Sequence, residues 1–160
     1  MHRRRALPLA VTALTAASIA AAPAAQASDT GLKKTVVRYE KRLTPAAKAF
    51  AAADKGLESA TSTDDASAAT GAFRTGLRAY KQALVPIKTE TATVAAGKKQ
   101  MLTAIREFDL GLVQYQKLLD KVNAGADKDS LKSTFVTLNK RLDAAAKDEA
   151  SALKKLGLTK

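Results

Sequence analysis

The chain has 160 residues, 27 Lys and Arg against 15 Asp and Glu, a net charge of +12, no cysteine and a single histidine at position 2. Residues 28–160 contain neither histidine nor cysteine, which excludes from them disulfide scaffolds, the usual protein ligands of haem, zinc and copper, and every catalytic device built on an imidazole or a thiolate. With 29 Leu, Ile, Val and Phe among residues 28–160, the apolar content is just above the fifth at which chains tend toward disorder, so a fold is expected, with a lean core.

The N-terminus has the layout of a secretory signal peptide. His2-Arg3-Arg4-Arg5 is a basic start, Ala6 to Ala22 is uncharged and mostly apolar, and Ala25-Gln26-Ala27 supplies small residues before a cut at Ser28. The apolar stretch is short, diluted by Ala, Ser and Thr, and broken by Pro8, which argues against a spanning helix. Residues 1–27 are therefore expected to be removed. Residues 28–160 remain as one exported domain, secreted or loosely held at the cell wall. The arginines leave the Sec and Tat export routes both open.

Along the remaining chain, apolar residues recur with a 4-3 spacing, the signature of helices packed side by side. The first series is Leu32, Val36, Tyr39, Leu43, Ala46, Phe50, Ala53, Leu57 and Ala60. It passes Pro45 without a slip, which predicts one helix over about 30–60, kinked at that proline. The second is Phe73, Leu77, Tyr80, Leu84, Ile87, Thr91 and Val94, read as a helix over about 64–95 and interrupted at Pro86. Three threonines near its end are poor helix formers, and Ala96-Gly97 is read as the turn. The third is Met101, Ile105, Phe108, Leu112, Tyr115, Leu119 and Val122, stopping at Asn123-Ala124-Gly125, hence a helix over about 98–123. The fourth, over about 129–156, is Leu131, Phe135, Leu138, Leu142, Ala145 or Ala146, Leu153 and Leu156, closed by Gly157. Four long helices with short connections predict an all-α, up-down-up-down four-helix bundle with heptad-type seams.

Motifs for chemistry are scarce. No Glu-x-x-His pair exists for a di-iron site, and Gly71, Gly76 and Gly111 stand isolated within helices, where they ease packing. No cofactor or metal is implied. Carboxylate-only catalysis needs two acids facing each other across a cleft, whereas the acids here are scattered among basic residues. Glu149 alone falls near a seam. A small rotation bringing Ala146, Ala150 and Leu153 inward would release it to solvent. A carboxylate-dependent enzyme is thus a minor alternative to a non-enzymatic protein.

Charge patterning points to a surface. Counting heptads with Leu32, Tyr39 and Ala46 at d, the outermost f positions are Lys34, Lys41, Lys48 and Lys55 in the first helix. In the fourth they are Ser133, Lys140, Lys147 and Lys154, whereas the second helix has Thr75, Gln82 and Thr89. Seven lysines on neighbouring helices suit an anionic polymer, such as a teichoic acid of the cell wall, an acidic glycan or a nucleic acid. Ordinary solvation of an exposed face is the competing reading, and Glu40, Asp54, Asp143 and Asp148 dilute the field. All seven aromatics of residues 28–160 lie on seams, leaving none to stack on bases, so sequence-specific nucleic-acid binding is not expected. Leu110 at f and Val113 at b of the third helix are a candidate contact for a protein partner, or the mark of a more enclosed helix.

Overall fold

The computed structural model describes residues 28–57 and 63–159, without the side chains of 56, 57 and 128. The signal-peptide assignment on residues 1–27, with Ala25 and Ala27, lies outside that range, as does Ala60. Four helices and no strand occur among the described residues: α1 (Asp29–Leu57), α2 (Thr63–Leu84), α3 (Ala92–Asn123) and α4 (Lys128–Lys155).

The seams face inward. Leu32, Val36, Leu43, Phe73, Leu77, Tyr80, Leu84, Met101, Ile105, Leu112, Tyr115, Leu119, Leu131, Leu138 and Leu156 are all buried. Consecutive helices run antiparallel, each packed on the next. Asp29 at the start of α1 reaches the α2–α3 connection, where Glu90 N–H and the Thr91 hydroxyl donate to it at 2.8 and 2.6 Å. Gln116 late in α3 donates to Ser67 early in α2 at 2.8 Å. Lys155 at the end of α4 donates to Gln100 near the start of α3 at 2.7 Å. An aromatic chain crosses all four helices. Phe108 and Phe73 lie 6.1 Å apart, Phe73 and Phe50 6.0 Å, Phe50 and Tyr115 5.0 Å, and Tyr115 and Phe135 6.2 Å. None of the seven rings is on the exposed surface.

α1 is continuous through Pro45. The boundary between α2 and α3 differs from the expected one. α2 ends at Leu84 instead of near 95, and α3 begins at Ala92 instead of near 98. Pro86 has no amide hydrogen and disfavours the helical conformation at Val85, and α2 stops just before it. The freed carbonyls of Val85 and Ile87 accept from the Lys98 ammonium. Thr91, poor within a helix, is good before one: it is the N-cap of α3, accepting from Val94 N–H at 3.4 Å. Val94 and Gly97 thus belong to α3. Both α3 and α4 end in a glycine with positive φ, Gly125 at 84° and Gly157 at 67°. There Ala126 N–H bonds to Lys121 C=O and Leu158 N–H to Leu153 C=O, each at 3.0 Å. These are the six-to-one bonds of a left-handed cap, where a side chain would be strained.

The fourth edge of the bundle is different. α1 and α4 approach each other less closely than any consecutive pair does. That edge frames the site.

Candidate functional site

Along the α1–α4 edge the backbone separation leaves a cleft of about 230 Å³. Its α1 wall is Leu43 and Phe50 of the predicted seam with Glu40, Thr44 and Ala47, each one residue beyond it; its α4 wall is Leu142 and Glu149. Phe73 and Leu77 of α2 and Phe108 of α3 complete it. Because the helices run in opposite directions, Glu40 and Glu149 share one end.

Those two carboxyl groups are half-buried and lie within hydrogen-bonding reach of each other. Burial disfavours ionisation of both, and each charge disfavours the other. Loss of hydration first, and then the Glu40 carboxyl beside it, push Glu149 up to about 7. Burial likewise raises Glu40, against the opposing pull of hydrogen bonding with Tyr80 and Glu149. The pair titrates as a unit, holding one proton where isolated glutamates hold none. Tyr80 of α2 is fully buried, stacked on Tyr39 at 5.2 Å, and its hydroxyl faces Glu40. Burial, then the Glu40 charge, hold that phenol well above its usual range. Neither the Tyr80 hydroxyl nor Glu40 Oε1 makes a hydrogen bond of good geometry. Glu40 Oε1 is therefore poised at the end of an apolar cleft without an aligned partner, and the Tyr80 hydroxyl, outside the lining of the cleft, faces that carboxyl.

This overturns the expected release of Glu149. Ala146 and Ala150 are exposed, while Ala145 and Ala152 are buried. The register Leu131, Leu138, Leu142, Ala145, Glu149, Ala152, Leu156 keeps its 4-3 spacing to the end, which places Glu149 on the seam itself. Among the described residues no Lys or Arg forms an ion pair with either acid. Glu40 was counted with the surface acids; its position four after Val36 and three before Leu43 is the signal that turns it toward α4.

The seven lysines, Lys34, Lys41, Lys48, Lys55, Lys140, Lys147 and Lys154, are all exposed. None has a hydrogen bond or an ion pair among the described residues. The side-chain cations that are engaged lie elsewhere. Arg74 and Arg78 meet Asp109 at 2.9 and 3.8 Å, and Arg141 meets Glu107 at 3.2 Å. Of the acids expected to dilute the lysines, only Asp143 is fully on the surface. Glu40 faces Glu149, Asp148 accepts from Gln100 at 3.3 Å, and Asp54 is half-buried toward Tyr115. On α3, Leu110 is 37 % exposed and Val113 half-buried, with Leu102 half-buried and Leu118 buried beside them.

The described residues contain no cluster of three or more acids able to hold a metal ion, and no helix long and apolar enough to cross a membrane. Comparisons with protein-family models, curated proteins and solved structures find no match to this chain.

Proposed function

We propose that the protein is exported, is cut before Ser28, and acts without catalysis as a binding protein held to anionic polymers of the cell envelope by the lysines of α1 and α4. The observation that carries this reading is the pair of lysine rows. Seven exposed, unpaired lysines occupy the outer faces of the two helices that border the open edge. Three of the four acids nearest them are drawn inward or into contact with other groups. Lysines seven residues apart repeat about every 10 Å along a helix, so each row offers a polyanion regularly spaced contacts whose strength falls with salt.

The carboxyl pair does not redirect this reading toward glycoside hydrolysis. Glycosidase carboxyls stand roughly 5–9.5 Å apart so that a sugar bond or a water fits between them. Glu40 and Glu149 lie within hydrogen-bonding reach of each other, closer than either arrangement.

Retention on purified cell walls is the test. The protein binds at low salt and elutes as salt is raised. The triple variant Lys41→Glu, Lys48→Glu, Lys147→Glu binds far less at the same ionic strength, with an unchanged helical circular-dichroism spectrum. Retention that ignores both salt and the three substitutions overturns the proposal.

A further inference from the structure

The cleft between α1 and α4 has a polarity that simple packing does not account for. Its walls carry Leu43, Leu77 and Leu142, its aromatic lining is Phe50, Phe73 and Phe108, and one end holds two carboxyl groups. A core of such helices could fill this space with one more leucine at 149, continuing the seam. Instead a glutamate faces a second glutamate, and the hydroxyl of the wholly buried Tyr80, outside the lining of the cleft, is turned toward Glu40 without a hydrogen bond of good geometry. Buried polar atoms are nearly always paired. Two convergent carboxyl groups, one with an oxygen that lacks an aligned partner, describe a receptor for a donor that carries several N–H groups.

We propose that this cleft binds a small organic cation, a protonated primary amine on an apolar body, with the ammonium seated against Glu40 and Glu149 and the apolar body against Phe50, Phe73 and Phe108. Three features fix the class. Both acids are acceptors when ionised, and an ammonium has three donors and no acceptor. A cation offsets the repulsion that otherwise makes the two acids share a proton. The space is the right size: an apolar cavity of roughly 150 Å³ takes benzene, so about 230 Å³ takes an aromatic ring with a two-carbon amine tail. The apolar walls and few convergent polar groups are the usual make-up of small-molecule sites.

The same chemistry sets the pH dependence. The titratable groups facing the ammonium are Glu40 from α1 and Glu149 from α4; Tyr80 of α2 faces Glu40 from outside the lining, and α3 contributes Phe108. Tyr80 stays protonated throughout the accessible range. The amine competes with the proton that the acids share, so affinity rises as pH is raised through about 7 and protons are released on binding.

The probe is 2-phenylethylamine, titrated calorimetrically into the protein at pH 5 and pH 8, with the uncharged 2-phenylethanol as control. Charge-assisted hydrogen bonds from an ammonium are worth roughly tenfold or more in affinity. The amine is therefore expected to bind at one site, at least about tenfold tighter than the alcohol at pH 8, and to weaken by a similar factor at pH 5. Glu149→Gln and Glu40→Gln each remove that preference for amine over alcohol, whereas Lys117→Ala, at an exposed position of α3, leaves it intact. Absence of saturable amine binding at pH 8 overturns the proposal, as does equal binding of amine and alcohol. Should a glutamine variant fail to fold, the pH 5 to pH 8 comparison on the unaltered protein decides alone, and a flat response overturns the assignment.

Discussion

The two sides of α4 are built from opposite principles. Toward α3, small residues bring the helices together. Gly111 lies beneath Leu142 and Gly97 beneath Leu156, so that a methyl added at either glycine meets a leucine side chain within 3 Å. Ala104, Ala145 and Ala152 are buried close by, and Gln100 joins Asp148, Ser151 and Lys155 across the interface. Toward α1 the approach is looser, a cleft replaces interdigitated side chains, and a carboxyl pair spans the gap. One helix thus carries both a close-packed face and an unfilled one. The leucines and alanines that lock α4 onto α3 fix its rotation, and Glu149 goes where that rotation takes it. Sharing a proton with Glu40 lowers the cost of putting it there.

The largest test of this contrast is a pair of truncations. Leu112 is fully buried in the packed interior, whereas Leu142 is half-buried and borders the cleft. Leu112→Ala is expected to cost about 3 kcal/mol in urea unfolding, from lost transfer energy and a cavity that cannot collapse. Leu142→Ala gives up the contact over Gly111 but otherwise enlarges space that already exists, and is expected to cost less, about 2 kcal/mol. Equal losses would erase the distinction between the two faces.

The acid pair gives the next largest effect. In the folded state Glu149 is raised from 4.5 to about 7, and Glu40 is also raised, so the fold prefers their protonated forms. That preference favours folding fully below the ordinary glutamate value and is lost as pH rises through about 7. Each unit of displacement corresponds to about 1.4 kcal/mol, so the melting temperature should fall measurably between about pH 5 and pH 8. Glu149→Gln should flatten that fall and raise the melting temperature at pH 8, because it removes the like charge while keeping the side chain's size. At the acid end the sign reverses. Hydrogen bonds from the Thr91 hydroxyl and the Glu90 amide hold Asp29 below its ordinary value, so this contribution disappears as pH falls through the Asp29 range. Maximum stability is expected between the two, near pH 5. A melting temperature that climbs from pH 5 to pH 8 contradicts the geometry assigned to the pair.

How much of this the amino-acid order discloses depends on which force decides each feature. The seams of α1 and α3 were readable because leucines and aromatics repeat at 4-3 spacing over many turns and no competing pattern exists. The α2–α3 boundary was misjudged because Ile87 and Val94 continue the apolar spacing across a break made by backbone chemistry. Pro86 stops the helix, Thr91 caps the next one, and Ile87 is buried from within the connection. The lysine rows follow directly from heptad position, and all seven lysines are exposed. The cleft was not visible. It depends on the distance between two helices distant in sequence, which small residues on the opposite face of α4 set. Glu149 carried a detectable signal, a charged residue on an unbroken seam, but only the three-dimensional arrangement places Glu40 against it.

The finest probe of the close-packed side uses two glycines that differ only in what surrounds them. Glycine within a helix costs roughly 1 kcal/mol relative to alanine, so glycine-to-alanine changes stabilise wherever the added methyl finds room. At Gly71, on the exposed face of α2, nothing lies within 4 Å of the added carbon. Gly71→Ala should therefore gain about 0.5–1 kcal/mol. At Gly97 the same carbon would sit 2.8 and 2.9 Å from two atoms of Leu156 and 3.3 Å from Lys155 Cβ. Leu156 is fully buried and cannot swing aside, so α3 and α4 must separate, at a cost of about 1–3 kcal/mol that outweighs the helix gain. The two substitutions, identical on paper, should move the urea midpoint in opposite directions. A stabilising Gly97→Ala would mean that α3 and α4 have slack between them, and the rotation of α4 that carries Glu149 into the cleft would lose its cause.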